Sequence, residues 1–125
     1  DMKTIAFQNL FRYINRINRK DIFVLIQETR KPFINNYGEI PGYINAADGD
    51  PWDIIVPGYK QLETGKPIKL KKLIGVYTIP NGNHKLIVDV HTNSIRDNEL
   101  FKKEVNRFRK RYEKHNKLRG SIIYF

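Results

Sequence analysis

Three patterns of apolar and polar positions follow one another along the chain. From Met2 to about Arg19, Ile5, Phe7, Leu10, Phe11, Ile14 and Ile17 recur mostly three or four residues apart, with Lys3, Arg12, Arg16 and Arg19 largely between them. That period is helical and predicts an amphipathic helix over residues 2–19. From Asp21 to about Asp89 the pattern changes to short apolar runs over residues 22–27, 54–56, 68–77 and 85–90, which read as strands. Turn signals divide them at Asn36-Tyr37-Gly38, Pro41-Gly42, Asp48-Gly49 and Asn81-Gly82, the last marking a hairpin. The third pattern places Leu100, Val105, Phe108 and Tyr112 at near-helical spacing among Lys102, Lys103, Arg107, Arg109, Lys110, Arg111 and Lys114. It predicts a basic amphipathic helix over residues 97–118, closed by Gly120 as a C′ glycine, with a last strand over 121–125. No internal repeat or low-complexity linker divides the chain, so residues 1–125 read as one domain. Helix, strands, helix, strand is the order of an α+β fold built on a small closed β-barrel.

Composition narrows the setting. The 125 residues are enough for one real core, and 40% hydrophobic with 12% aromatic content is that of a folded chain. With no cysteine, disulfides and thiolate metal sites are excluded. No apolar run approaches the roughly 18 residues that span a bilayer, and Asp1-Met2-Lys3 leads straight into the first amphipathic stretch without a signal peptide. The expectation is a cytoplasmic protein with no membrane partner. Twenty-three Lys and Arg against thirteen Asp and Glu give a net charge of +10. That balance attracts polyanions, whether nucleic acid, phosphorylated metabolites or acidic membrane surfaces, and is equally the mark of a solvated basic surface.

The chemistry concentrates in Asp48-Gly49-Asp50-Pro51-Trp52-Asp53-Ile54. Three carboxylates at i, i+2 and i+5 around a Gly-Pro turn repel one another, and a divalent cation offsets that repulsion. Hard oxygen ligands suit Mg²⁺ or Mn²⁺, which keep several waters and accept substrate phosphates as further ligands. The plainer alternative is a solvated, Asx-rich turn.

This stretch, followed by an apolar run, resembles the signature of the soluble (family I) inorganic pyrophosphatases. Asn36-Tyr37-Gly38 is similar to that family's turn before the acidic motif. Gly75-Val76, a hairpin and Lys85-Leu86 resemble its Val-Gly-Val strand and phosphate-binding lysine, and Phe108 with Tyr112 resembles its aromatic-rich terminal helix. The resemblance implies a five-stranded barrel related to the OB type and Mg²⁺-dependent hydrolysis of pyrophosphate to two phosphates. It implies metal binding by Asp48, Asp50 and Asp53, with Asp50 as the base or water-orienting group. It further implies phosphate binding by Lys85, Tyr37 and Tyr112, and, since the family is commonly oligomeric, a homo-oligomer.

The chain departs from the family at several positions. Asn83 stands two before Lys85, where an aspartate is expected, and offers a metal only an uncharged carbonyl. Glu113 follows Tyr112 where the family has lysine, leaving Lys114 one position on as the phosphate-binding cation. The family's N-terminal hairpin, with its lysine and arginine, has no room before Tyr37, and Arg30 stands as the nearest substitute. These departures keep a second expectation open: a catalytically impaired barrel whose basic helices bind nucleic acid or serve structural assembly.

Overall fold

The computed structural model describes residues 3–5, 22–30 and 35–125. Among the described residues, seven strands and one helix follow in the order β1 (Lys3–Ile5), β2 (Phe23–Arg30), β3 (Asn35–Asn45), β4 (Pro51–Val56), β5 (Pro67–Thr78), β6 (Lys85–Val90), α1 (Asn98–Asn116) and β7 (Ser121–Tyr124). Strands pair in the sequence β3-β2-β5-β6-β4, and β4 pairs back to β3, which closes a five-stranded barrel. Only the β4–β6 pairing within the barrel is parallel. Closure leaves no free edge in the ring itself. Outside it, β1 adds to β3 in parallel and β7 adds to β5 antiparallel.

Alternation along the strands divides the apolar residues between two cores. Val24, Ile26, Ile40, Trp52, Ile54, Val56, Val76, Leu86, Val88 and Val90 fill the barrel interior. Tyr37, Ile55, Tyr77, Ile79 and Ile87 face outward and are covered by Val105 and Phe108 of α1. Trp52 is fully buried in the inner core, which explains an aromatic beneath the acidic turn without any stacking role.

Two expectations change. Of the predicted helix over residues 2–19, Lys3–Ile5 instead pair as a strand with Tyr43–Asn45, and the remainder lies outside the described residues. Beyond Glu39, where its pairing with β2 ends, β3 offers Tyr43–Asn45 as the backbone partners that draw this stretch into the sheet. The segment read as turns at Asn36-Tyr37-Gly38 and Pro41-Gly42 is the eleven-residue strand β3. Its pairing with β4 skips between Ile40 and Ile44, where Pro41 lacks an amide hydrogen and Gly42 takes φ +85°, so the turn residues mark a bulge inside a strand.

Gly38 is set by close approach. A Cβ there would lie 1.9 Å from the Leu25 carbonyl oxygen of β2. Asn36, fully buried, holds β3 to the segment after β4. Its Oδ1 accepts from Leu62 N–H at 2.9 Å, and its Nδ2 faces the carbonyls of Val56, Tyr59 and Lys60 at 3.2–3.4 Å. Asn36 and Gly38 thus build the barrel, and Tyr37 between them faces the helix.

Helix α1 begins where Asp97 accepts from the backbone N–H groups of Glu99 and Leu100, and ends with Lys117 in the left-handed conformation. It matches the predicted basic helix to within two residues at each end.

Candidate active site

Cross-strand register places the candidate residues in two adjacent rows on the outer face of the barrel. One row runs Tyr37–Ile55–Ile87–Gly75 across β3, β4, β6 and β5, and α1 packs over it. The next runs Glu39–Asp53–Lys85–Tyr77, placing charged groups beside the apolar, helix-covered patch. The site follows from strand alternation: Asp53 and Lys85 point away from the barrel interior because Ile54 and Leu86 point into it.

Lys85 is the centre. It is only 2% exposed, and its Nζ donates to Asp53 Oδ2 at 2.5 Å and to Asn83 Oδ1 at 3.1 Å. The same ammonium lies 5.7 Å from the Tyr37 ring centre and 5.5 Å from that of Tyr112, within cation–π range of both. Tyr37, Phe108 and Tyr112 form a stack, with neighbouring centres 5.9 Å apart and planes 18–19° from parallel. Lys85 therefore touches the two outer rings of a three-ring stack. The buried cation is held by one carboxylate, one amide and two aromatic faces.

The acidic turn docks beside it. Asn45, buried, accepts from Ala47 N–H through its side chain and donates to the Gly82 carbonyl of the β5–β6 hairpin at 3.3 Å. A Cβ on Gly82 would fall 2.9 Å from that of Ala47, so turn and hairpin are in direct contact. This contact brings Asn83 to the acidic strand. His84 closes the hairpin by accepting from Ile79 N–H through Nδ1 at 2.8 Å; burial, then the Lys85 charge, lower its pKa.

The three motif aspartates have different settings. Asp53 binds Lys85. Asp48 is exposed and caps its own turn, accepting from Asp50 N–H at 2.9 Å, as an Asx turn does. Asp50 is also exposed. Among the described residues no three His, Asp or Glu side chains are gathered as a ready metal cage.

Glu39, which the motif reasoning missed, stands opposite Asp53 in the β3–β4 ladder. Partial burial, then the charges of Asp53 and of Asp50, raise its carboxyl pKa above the ordinary range. The signal lay two residues after Tyr37, on the same strand face, and was hidden by reading β3 as turns.

The other expected residues lie further off. Lys114 is on the outer side of α1, lining a shallow concavity with Arg107, Lys110, Arg111 and His115, while Tyr112 turns toward the barrel. Arg30 ends β2, and its side chain lies outside the described residues. The nucleic-acid reading gains no support: Phe108 is buried and Tyr112 is stacked on it, so neither offers a face to a base.

Glu113, expected to disturb the site, is a structural hub. Its Oε2 accepts from Tyr77 O–H at 2.9 Å, Gly120 N–H at 3.0 Å and Arg109 Nε at 3.1 Å. The Gly120 amide first, with the Tyr77 and Arg109 donors adding, holds its carboxyl below the ordinary range.

The closed five-stranded barrel with one helix against its outer face is a fold found in solved inorganic pyrophosphatases. The chain is similar to inorganic pyrophosphatase from Ehrlichia chaffeensis, with a TM-score of 0.53 and 18% identity over 81% of each chain. It is similar also to an inorganic phosphatase from Anaplasma phagocytophilum, with a TM-score of 0.51 and 18% identity over 84% of this chain and 81% of that one. At that identity the likeness is one of fold. No protein-family profile and no curated protein matches the sequence. Among the described residues no helix is long and apolar enough to cross a membrane.

Proposed function

We propose that the protein hydrolyses inorganic pyrophosphate to two phosphates, using Mg²⁺ or, in its place, Mn²⁺, in the cytoplasm. The observation that carries this reading is the buried Lys85 ammonium between Tyr37 and Tyr112, on a barrel of pyrophosphatase type. A cation set into an aromatic wall beside an acidic turn suits an anionic substrate that arrives with a divalent metal.

The donor chemistry fits such a metal. Mg²⁺ needs only one or two carboxylates when substrate phosphates and water complete its shell. Asp48 and Asp50 are exposed carboxylates of the turn that leads into β4, and Asp53 on β4 is bound to Lys85. Asp48, Asp50 and Asp53, with the Asn83 carbonyl, would hold the ion. When bound, it neutralises phosphate charge and acidifies a water.

The chain's own groups do the rest. Lys85 shifts part of its charge from Asp53 to a phosphate oxygen, acting as a point cation. Tyr37 and Tyr112 donate hydroxyl hydrogen bonds to the substrate, and Asp50 orients the attacking water and takes its proton.

One observation favours a second reading. Lys85 already neutralises Asp53, and Asn83 contributes no charge, which suits a barrel that binds phosphate compounds without turning them over. Phosphate release from pyrophosphate over a Mg²⁺ and Mn²⁺ titration, with Asp50→Asn in parallel, decides between them. Metal-dependent release lost in the variant supports the hydrolase; binding without release supports the second reading.

A further inference from the structure

We propose that Glu113 is a positioning residue for the phosphate site: it fixes Tyr112 over Lys85 by gripping Tyr77 and Gly120. The inference rests on the reading of that site as one for pyrophosphate.

The geometry forms a relay. Glu113 Oε2 gathers donors from three places: Tyr77 on β5, Arg109 one helical turn back, and Gly120 in the segment beyond the helix. Tyr77 and Gly120 are also pressed together, since a Cβ on Gly120 would lie 2.4 Å from the Tyr77 ring. The Tyr77 ring then meets Tyr112 edge-on, with centres 6.0 Å apart and planes at 86°, and meets Phe108 likewise at 6.3 Å and 88°. Both rings belong to the stack whose two outer rings, Tyr37 and Tyr112, lie within 5.7 Å of the Lys85 ammonium. Tyr77 is moreover the register partner of Lys85 across β5 and β6. Releasing Tyr77 therefore loosens the edge contact that seats Tyr112, and with it the cation's aromatic wall.

The carboxylate at position 113 is one residue from a phosphate-binding tyrosine, where its charge alone repels a polyanion. Retaining it there makes physical sense if its acceptor geometry contributes more than its charge costs. That contrast gives the test an opposite sign for the two roles.

The experiment is calorimetric titration of wild type, Glu113→Ala, Glu113→Gln, Tyr112→Leu and the Glu113→Ala/Tyr112→Leu double variant with pyrophosphate, alongside hydrolysis. Glu113→Ala is expected to weaken pyrophosphate binding about tenfold, although it removes a negative charge. Glu113→Gln, which keeps an acceptor oxygen and loses the charge, is expected to bind within about threefold of wild type or more tightly. In the Tyr112→Leu background, which lacks the ring, Glu113→Ala is expected to cost less than about a further twofold, because both act through that ring. If Glu113→Ala does not fold, Tyr77→Phe takes its place in the cycle, with an expected loss of about threefold on its own. Unchanged or tighter binding by Glu113→Ala (or Tyr77→Phe), or equal losses in both backgrounds, overturns the inference. Binding that follows the cycle without any hydrolysis leaves the inference standing and defeats the hydrolase reading. A wild type that binds no pyrophosphate overturns both.

Discussion

Lys85 Nζ and Asp53 Oδ2 lie 2.5 Å apart at paired register positions of the parallel strands β6 and β4, and the two partners are unequally buried. The lysine side chain is 3% exposed and the aspartate side chain 23%. A buried charge stripped of its partner costs more than one that water still reaches.

This asymmetry ranks two substitutions. Asp53→Ala strands the Lys85 ammonium with only the Asn83 carbonyl and two ring faces, and is expected to lower stability by about 3 kcal/mol. Lys85→Met leaves Asp53 open to water, puts a thioether of similar length into the slot, and is expected to cost about 1 kcal/mol. Urea unfolding of the two variants tests the order; a larger loss in Lys85→Met contradicts the described burial.

Asn36 contributes architecture and not substrate contact. Asn36→Ala leaves the Leu62 N–H without its side-chain acceptor and the facing carbonyls without a donor, at an expected cost of about 3 kcal/mol. Asn36→Asp keeps the acceptor but points a carboxylate oxygen at the carbonyls of Val56, Tyr59 and Lys60, so it should be no milder. Melting curves check both, and an Asp variant as stable as wild type would show that the amide hydrogens are dispensable.

Glu104 sets a pH dependence. Its side chain is buried on the inner side of α1, where Oε2 accepts from Gly58 N–H at 3.2 Å and Oε1 has no hydrogen-bond partner among the described residues. Burial pushes its pKa up to about 7, with Asp97 adding to the rise and the Gly58 amide and Arg107 opposing it. Between the ordinary 4.5 and about 7 the folded protein keeps a proton that the unfolded chain releases. Stability therefore falls as pH rises through that window, by about 3 kcal/mol in all, and levels off above it. Glu104→Gln removes the charge and should be about 2 kcal/mol more stable than wild type at pH 8, with little difference near pH 4.5. Denaturation at the two pH values measures this, and an equal effect at both would remove Glu104 as the cause.

The parts of this fold legible in the sequence are those with local signals. Periodicity located α1 and the core strands, and the turn residues located the hairpin that carries Asn83. Lys85 and Asp53 stood out through the family resemblance, and their juxtaposition follows from strand alternation once β4 and β6 pair. What was hidden depends on contacts distant in sequence. β3 carries turn residues because Gly38 admits a neighbouring carbonyl and Pro41-Gly42 form a bulge, and neither reason is local. Glu39 was lost with it. Glu113 reads in the sequence only as a departure from the family pattern, because its three donors converge only in the folded chain. At the N-terminus, helical spacing at Lys3–Ile5 yielded to the pairing offered by β3.

On the proposed function, Lys85 and the acidic turn beside it form a working pyrophosphate site. Phosphate release from pyrophosphate at saturating Mg²⁺, by wild type and by folded Lys85→Met, tests it most directly. Metal-dependent turnover in wild type, reduced at least about a hundredfold in the variant, is the predicted result. No turnover in wild type, or equal turnover in both, would contradict it.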